Sequence, residues 1–145
     1  MAWVARKTNI VPVDPGCNLV KAMRAGAYGL RHDKVLILFP EGERSIDGSV
    51  KTFKKGAAIL SLHLGAPIMP IAMDGVFDVW PRNRPPRWRA LLPGGDARVL
   101  MEMGASFDPE STAAAEEQFV AATDRLRDTV ERMWHGLRER RARSG

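Results

Sequence analysis

Apolar residues fill five consecutive positions, Val35–Phe39, and Pro40, Glu41 and Gly42 follow directly. An uninterrupted apolar run of this length, bounded by turn-forming residues, is typical of a strand buried on both faces in a parallel sheet. Pro40 ends backbone pairing, and Gly42 permits a sharp turn. The pattern therefore predicts a buried strand whose end brings Glu41 and Arg44 to the rim of the sheet, where α/β proteins bind their ligands.

The residues before this strand predict a further strand and a helix. Asn9–Val13 is a short β-like run that ends in turn-forming residues. Between Leu19 and Leu30, apolar residues recur every three or four positions, as they do on one face of a helix. Strand, helix and strand in this order predict a βαβ unit with a right-handed crossover.

Three elements are predicted in the middle of the chain. Ala57–Leu64 is a predicted helix that a glycine closes, and Arg98–Met103 is a predicted strand. Pro67–Met73 is also a predicted strand, in which Pro70 indicates an edge, a bulge or a strand end.

Two segments complete the predicted domain. Residues 79–96, which we call the Trp–Arg loop, mix tryptophan, arginine and too much proline for a helix or a central strand. Residues 109–140 predict a C-terminal helix whose apolar positions form one stripe for packing on the sheet. Together these elements predict a single α/β domain, residues 1–145, with a mixed, largely parallel sheet flanked by helices.

Composition narrows the class of protein and the kind of partner. The 145 residues are 45% apolar and 27% charged, as in a globular domain. Cys17 is the only cysteine and no Cys/His cluster has zinc spacing, so we expect neither a disulfide nor a metal. The net charge of +5 favours an anionic partner. Charge alone leaves nucleic acid, a phosphorylated metabolite and an acidic membrane surface open.

The sequence predicts a cytoplasmic protein that meets a membrane only peripherally. The first ten residues contain no apolar stretch of the kind found in a secretory signal. Gly56–Met73 is uncharged and nearly long enough to span a bilayer, but Gly65, Pro67 and Pro70 interrupt it.

Lys51, Lys54 and Lys55 precede the predicted helix at Ala57. The backbone N–H groups and the dipole at a helix N-terminus favour an anion. The three lysines are equally compatible with contact to a phosphate and with a solvated face.

Phe39–Ser45 reads Phe-Pro-Glu-Gly-Glu-Arg-Ser and resembles the Phe-Pro-Glu-Gly-Thr-Arg-Ser block of the glycerolipid acyltransferase family, whose members include 1-acyl-glycerol-3-phosphate acyltransferases. Only Glu43 departs from the block. Three further segments resemble family elements in the same order, and the similarity covers roughly Asn9–Met73. They are Ile10–Asp14, Phe53–Gly56 (Phe-Lys-x-Gly) and Ala66–Ile71 (Val-Pro-Ile-x-Pro-Val in the family).

The resemblance implies a glycerol-3-phosphate acyltransferase-like fold and an enzyme of phospholipid biosynthesis. Such an enzyme transfers a fatty acyl group from acyl-CoA or acyl carrier protein to the hydroxyl of glycerol phosphate or lysophosphatidate, with no other cofactor and no metal. The implied partners are the acceptor, the acyl donor and an anionic membrane surface on the inner face of the membrane. The residues implied to bind substrate are Glu41, Gly42, Arg44, Ser45 and Lys54, with Pro67 and Pro70 in an acyl pocket or in a structural role.

Two departures from the family bear on catalysis. The family's His-x-x-x-x-Asp block, which supplies the general base, is absent, and Pro15 stands where the family has an arginine for the acceptor's phosphate. His32 is separated from Glu41 by a strand of roughly 16 Å, and His63 lies about 10 Å along its predicted helix. We therefore expect no catalytic residue in this chain, an N-terminally incomplete domain, and no activity from the chain alone.

Two other classes of function stay open. One is a catalytically dead acyltransferase-like protein that binds lipid or a protein partner. The other is a basic nucleic-acid-binding module, which is less expected because the sequence contains no helix-turn-helix, zinc or RNA-binding aromatic motif. The Trp–Arg loop is compatible with nucleic acid, with an anionic bilayer and with packing on its own domain. We predict no nucleic-acid partner.

Overall fold

The computed structural model describes residues 19–82, 84–93, 95, 97–109 and 115–143. These residues form four α-helices, two paired strands and one 3-10 turn. The helices are α1 (Leu19–Arg31), α2 (Gly56–Leu64), α3 (Val76–Val79) and α4 (Ala115–Arg143), the strands are β1 (Ile71–Asp74) and β2 (Leu100–Met103), and the 3-10 turn is Trp88–Leu91.

The sheet formed by the described residues is antiparallel. Ile71 pairs with Met103 and Asp74 with Leu100, so β1 and β2 lie side by side over their whole length. An isolated bridge between Ile68 and Phe107 extends the pairing beyond the strand ends. The predicted strand at Arg98–Met103 is confirmed. The strand predicted for Pro67–Met73 is shorter and begins after Pro70, as a proline at a strand end requires.

Helix α4 covers one face of this sheet and forms the core with it. Ala72 of β1 packs against Trp134 and Leu137 of α4, and all three side chains are buried. The same stripe carries Val130 and Met133, so the predicted packing of this helix on the sheet is confirmed. The helix is described from Ala115 to Arg143 rather than over 109–140, and residues 110–114 lie outside the described part of the chain.

Helices α1 and α2 pack against each other at a glycine. A Cβ placed on Gly26 would lie 3.0 Å from Leu36 Cδ2 and 3.3 Å from Leu60 Cδ1, so the two helices approach closely there. Gly65 closes α2 in the left-handed conformation, with φ of 61°, as predicted. The predicted α1 is also confirmed, with Arg31 as its last residue.

The prediction of a buried strand at Val35–Phe39 is wrong for the described structure. Residues 34–39 belong to no helix or strand of the described structure, and Val35, Ile37 and Phe39 are exposed by 91%, 73% and 69%. An apolar run becomes a buried strand only when a neighbouring strand and a covering layer are present. The neighbour predicted for it, Asn9–Val13, falls outside the described residues. The parallel part of the predicted sheet is therefore not seen in the part of the chain that the structure describes.

Within the described ranges, no helix combines the length and apolar character needed to cross a membrane.

Candidate functional site

A tight turn follows residues 34–39 and contains the Pro-Glu-Gly sequence. Gly42 N–H donates to the Phe39 carbonyl at 3.0 Å, and Gly42 has a φ of 75°, which favours glycine. The Lys54 backbone N–H donates to the Pro40 carbonyl at 2.8 Å. The Lys54 side chain then lies across the turn, because a Cβ on Gly42 would be only 2.8 Å from Lys54 Nζ. Gly42 is therefore needed both for the backbone conformation and for the position of the lysine.

Glu41 is half-buried beside this turn. Its Oε2 accepts a hydrogen bond from the Lys51 backbone N–H at 3.2 Å. Burial raises the pKa of Glu41 above its ordinary value, and the Lys51 hydrogen bond and charge offset only part of that rise. The carboxyl group thus ties the turn to the segment before α2.

Glu43, the one departure from the family block, bridges two cations. Its Oε1 lies 2.7 Å from Lys51 Nζ, and its Oε2 lies 2.7 Å from Arg82 Nη1. The hydrogen bond from Lys51 lowers the pKa of Glu43, with a smaller contribution from Arg82. Glu43 therefore neutralises Lys51 and fastens the Trp–Arg loop to the turn.

Arg44 also joins the turn to the Trp–Arg loop. Its Nη1 donates to the carbonyls of Trp80 and Pro81, both at 3.3 Å, and its Nη2 approaches the Arg82 carbonyl at 3.5 Å. The guanidinium lies 4.5 Å from the centroid of the Trp80 ring, in a cation–π contact. In this structure Arg44 is thus held by the loop rather than by Glu41.

The Ser45 hydroxyl belongs to the next turn. It donates to Asp47 Oδ1 at 3.0 Å and accepts the Gly48 N–H at 2.7 Å. The Ser49 hydroxyl and backbone N–H bind the same carboxylate, and these bonds lower the pKa of Asp47 to about 2. The structure therefore gives Ser45 a turn-forming role. Its predicted contact with substrate stays a prediction.

The three lysines before α2 differ in their partners. Lys51 pairs with Glu43, and Lys55 Nζ lies 3.6 Å from Glu116 Oε1 on α4. Lys54 is exposed, and no carboxylate in the described part of the chain lies within ion-pair distance of it. Lys54 is therefore the member of the group that is positioned over the turn with its charge uncompensated.

The histidines, all three of which the structure describes, lie outside this site. His32 Nδ1 is 2.8 Å from the Tyr28 carbonyl, and His63 Nδ1 is 2.9 Å from the Ile59 carbonyl, one helical turn earlier in each case. His135 packs edge-on against Trp134. Among the described residues, no group of His, Cys, Asp and Glu is arranged to hold a metal ion.

The two prolines named from the sequence have different surroundings. Pro70 is fully buried, and its carbonyl accepts the Gly104 N–H at 2.9 Å at the end of the sheet. Pro67 is exposed. A cavity of about 620 Å³ lies between Phe107 and α4, lined there by Arg125 and Asp128, and neither proline borders it. Pro70 thus packs at the end of the sheet, and the acyl pocket or structural role of the two prolines stays a prediction.

The sequence reading missed the two residues that complete the turn, Trp80 and Arg82. They lie 36 and 38 residues after Arg44, with which both interact. The available signal was the density of tryptophan and arginine in the Trp–Arg loop, but no local pattern pairs that loop with the turn.

Comparison with known proteins identifies relatives. The acyltransferase family model matches residues 1–74, about half of the chain. A chloroplastic 1-acyl-sn-glycerol-3-phosphate acyltransferase of Brassica napus is 29% identical over 104 residues, which cover 70% of this chain and 29% of that protein. A 1-acyl-sn-glycerol-3-phosphate acyltransferase of Limnanthes douglasii is 47% identical over 45 residues, 31% of this chain and 16% of that protein.

A solved structure has the same fold. The crystal structure of the 1-acyl-sn-glycerophosphate (LPA) acyltransferase PlsC from Thermotoga maritima matches with a TM-score of 0.67 at 24% identity. The match covers 94% of this chain and 51% of that chain. The predicted α/β fold class is therefore confirmed. The chain spans about half the length of this structure and 29% of the Brassica protein.

Proposed function

Because the chain belongs to the acyltransferase family, we propose that it carries the acceptor-binding turn of an enzyme that acylates lysophosphatidate. The acyl donor is acyl-CoA or acyl carrier protein, and glycerol phosphate is the alternative acceptor. Relatives named as 1-acyl-sn-glycerol-3-phosphate acyltransferases support this choice of substrate. The proposal places the enzyme in phospholipid biosynthesis, on the inner, cytoplasmic face of an anionic membrane.

The observation that carries the proposal is the position of Lys54. Its ammonium lies over the Gly42 turn and has no carboxylate partner among the described residues, so a phosphate is a suitable counter-ion there. Glu41 uses one carboxylate oxygen for the Lys51 N–H, which leaves the other to accept from a glycerol hydroxyl. Arg44 adds a second positive charge and keeps further N–H donors beyond those bound to the Trp–Arg loop.

The reaction also needs a base. The acceptor's hydroxyl oxygen attacks the thioester carbonyl carbon, the hydroxyl proton passes to a base, and the thiolate of the donor leaves. His32 and His63 each bond to a carbonyl of their own helix, and His135 packs on Trp134. We therefore assign acceptor binding, but no proton transfer, to the residues described.

Binding of lysophosphatidate by single-site variants tests this assignment. Lys54→Met should weaken binding about ten- to a hundredfold, because a hydrogen bond to a charged group contributes about 1.5–3 kcal/mol. Lys21→Met removes an equal charge from an exposed position on α1 and should leave the affinity unchanged. Equal losses in the two variants, or none in Lys54→Met, would contradict the assignment of Lys54.

A lipid-binding protein without catalysis is the second candidate, and the engagement of all three histidines elsewhere favours it. Release of the donor's thiol distinguishes the two candidates. The 145-residue chain is expected to bind lysophosphatidate without releasing coenzyme A from acyl-CoA. Turnover that Lys54→Met abolishes and Lys21→Met retains would overturn the second candidate and place a base within the chain.

A further inference from the structure

The Trp–Arg loop exposes large apolar side chains next to cations. Trp88 and Leu92 are exposed by 61% and 60%, and Trp80 by 42%. The four arginines of the loop are all exposed, and the sequence has no acidic residue from Val79 to Pro93. The arginines are Arg82, Arg84, Arg87 and Arg89. The surface is therefore both apolar and positively charged, and an exposed apolar patch rimmed by polar groups is typical of an interaction site.

Two of these arginines are available to a partner. Arg82 is paired with Glu43, and Arg87 donates to the Asp78 carbonyl at 3.3 Å. Arg84 and Arg89 are exposed, and neither forms an ion pair with the described residues. They lie on either side of Pro85 and Pro86, which limit the conformations of the loop between them.

We propose that the Trp–Arg loop docks on the surface of an anionic lipid bilayer. Tryptophan is enriched at the membrane–water interface because its ring is apolar while its N–H still meets water. Arginine next to such rings is attracted to anionic headgroups. Leu92, four residues after Trp88, adds an exposed aliphatic group for the acyl boundary. The proposal depends on the proposed function only in that the acceptor is a membrane lipid.

The geometry of the tryptophans favours a bilayer over nucleic acid. Single-stranded nucleic acid binds by stacking its bases on open aromatic faces. One face of Trp80 is already covered by the Arg44 guanidinium at 4.5 Å. The Trp80 and Trp88 rings are tilted by 51° with centroids 6.0 Å apart, so they form no parallel platform for successive bases. A bilayer interface requires no such platform.

Docking here brings the candidate site to the lipid. The Trp–Arg loop is fastened to the turn by the Arg44–Trp80 contact and the Glu43–Arg82 ion pair. A bilayer that holds the loop therefore also holds the Gly42 turn and Lys54 near the headgroups, where lysophosphatidate resides. The loop acts as a positioning surface and takes no part in the chemistry.

Vesicle binding by the 145-residue chain tests the proposal. The vesicles are phosphatidylcholine alone or phosphatidylcholine with phosphatidylglycerol, and they contain neither lysophosphatidate nor acyl donor, so the result does not depend on acceptor binding. The test variant is Arg84→Gln/Arg89→Gln, and the control is Arg24→Gln/Arg31→Gln, which removes the same charge from exposed positions on α1. Trp88→Ala and Tyr28→Ala form a second matched pair of exposed aromatic residues. Circular dichroism checks that each variant is folded.

Binding to the anionic vesicles should fall by at least tenfold in Arg84→Gln/Arg89→Gln, since each arginine near an anionic surface contributes about fivefold. Trp88→Ala should also weaken it, while both control variants bind like the unaltered chain. Equal losses in test and control variants, or binding that the loop variants leave unchanged, would overturn the proposal. So would loop-dependent binding to a short single-stranded oligonucleotide that is tighter than binding to the anionic vesicles.

Discussion

At the scale of single residues, the candidate site depends on the pairing of one glycine with one lysine. Gly42 gives the turn its positive φ, and the lack of a side chain there gives Lys54 room to lie across it. The sequence predicts Glu41, Gly42 and Lys54 as site residues, and the structure brings them together. It places Ser45 in a neighbouring turn instead, because the hydroxyl bonds to Asp47 and Gly48.

Gly42→Ala should lower the free energy of unfolding by about 1 kcal/mol, because a residue with a Cβ is strained at positive φ. The new methyl group should also displace the Lys54 ammonium and weaken lysophosphatidate binding. Urea unfolding and equilibrium binding measure the two effects. Gly136→Ala on α4 is the control: nothing lies within 4 Å of the added Cβ, so it should stabilise the helix by about 0.5–1 kcal/mol. Unchanged stability and binding in Gly42→Ala would contradict the described turn.

The Asp47 carboxylate gives the turn after Ser45 a pH dependence. The pKa of Asp47 is about 2 in the folded chain, below the ordinary value of 3.8. The contribution of Asp47 to stability is therefore complete above pH 3.8 and is lost as the pH falls from 3.8 towards 2. The difference in unfolding free energy between the unaltered chain and Asp47→Asn should therefore shrink over this interval. Urea unfolding of both chains across the interval measures it, and a constant difference would contradict the Asp47 hydrogen bonds.

At the scale of elements, the sequence predicts the helices and helix ends that depend only on nearby residues. Helices α1 and α4 follow from apolar periodicity, and Gly65 ends α2 as a left-handed glycine does. The pattern at Val35–Phe39 failed because burial of a strand depends on its neighbours rather than on its own residues. The contact of Arg44 with Trp80 spans 36 residues, so no periodicity encodes it.

Glu43→Thr introduces the residue that the family has at this position, and it tests the ion pairs by which Glu43 connects the turn to the Trp–Arg loop. Removing the carboxylate releases Lys51 and Arg82, so two cations next to the Gly42 turn lose their counter-ion. Binding of lysophosphatidate should become several times tighter and more sensitive to salt. Isothermal titration at two salt concentrations measures both changes. Glu139→Thr makes the same change of charge at an exposed position of α4 and should have little effect. Equal tightening in the two variants would show that only net charge matters.

At the scale of the whole molecule, the chain joins a compact half to an exposed apolar segment. The α4 helix and the β1–β2 pair bury Ala72, Trp134 and Leu137, whereas Val35, Ile37 and Phe39 face solvent. The family membership and the fold were predictable from four short motifs that resemble family elements in the same order. The contacts between the Trp–Arg loop and the turn were not predictable, because no local sequence pattern pairs the two segments.

The proposed function depends on recognition of a phosphate on a lipid acceptor by the Gly42 turn. Titration of the unaltered chain with 1-acylglycerol 3-phosphate and with the matching 1-acylglycerol, which lacks the phosphate, tests it most directly. We expect the phosphorylated lipid to bind at least tenfold more tightly, because the lipid without phosphate leaves Lys54 without a counter-ion. Equal affinity for the two lipids would contradict it.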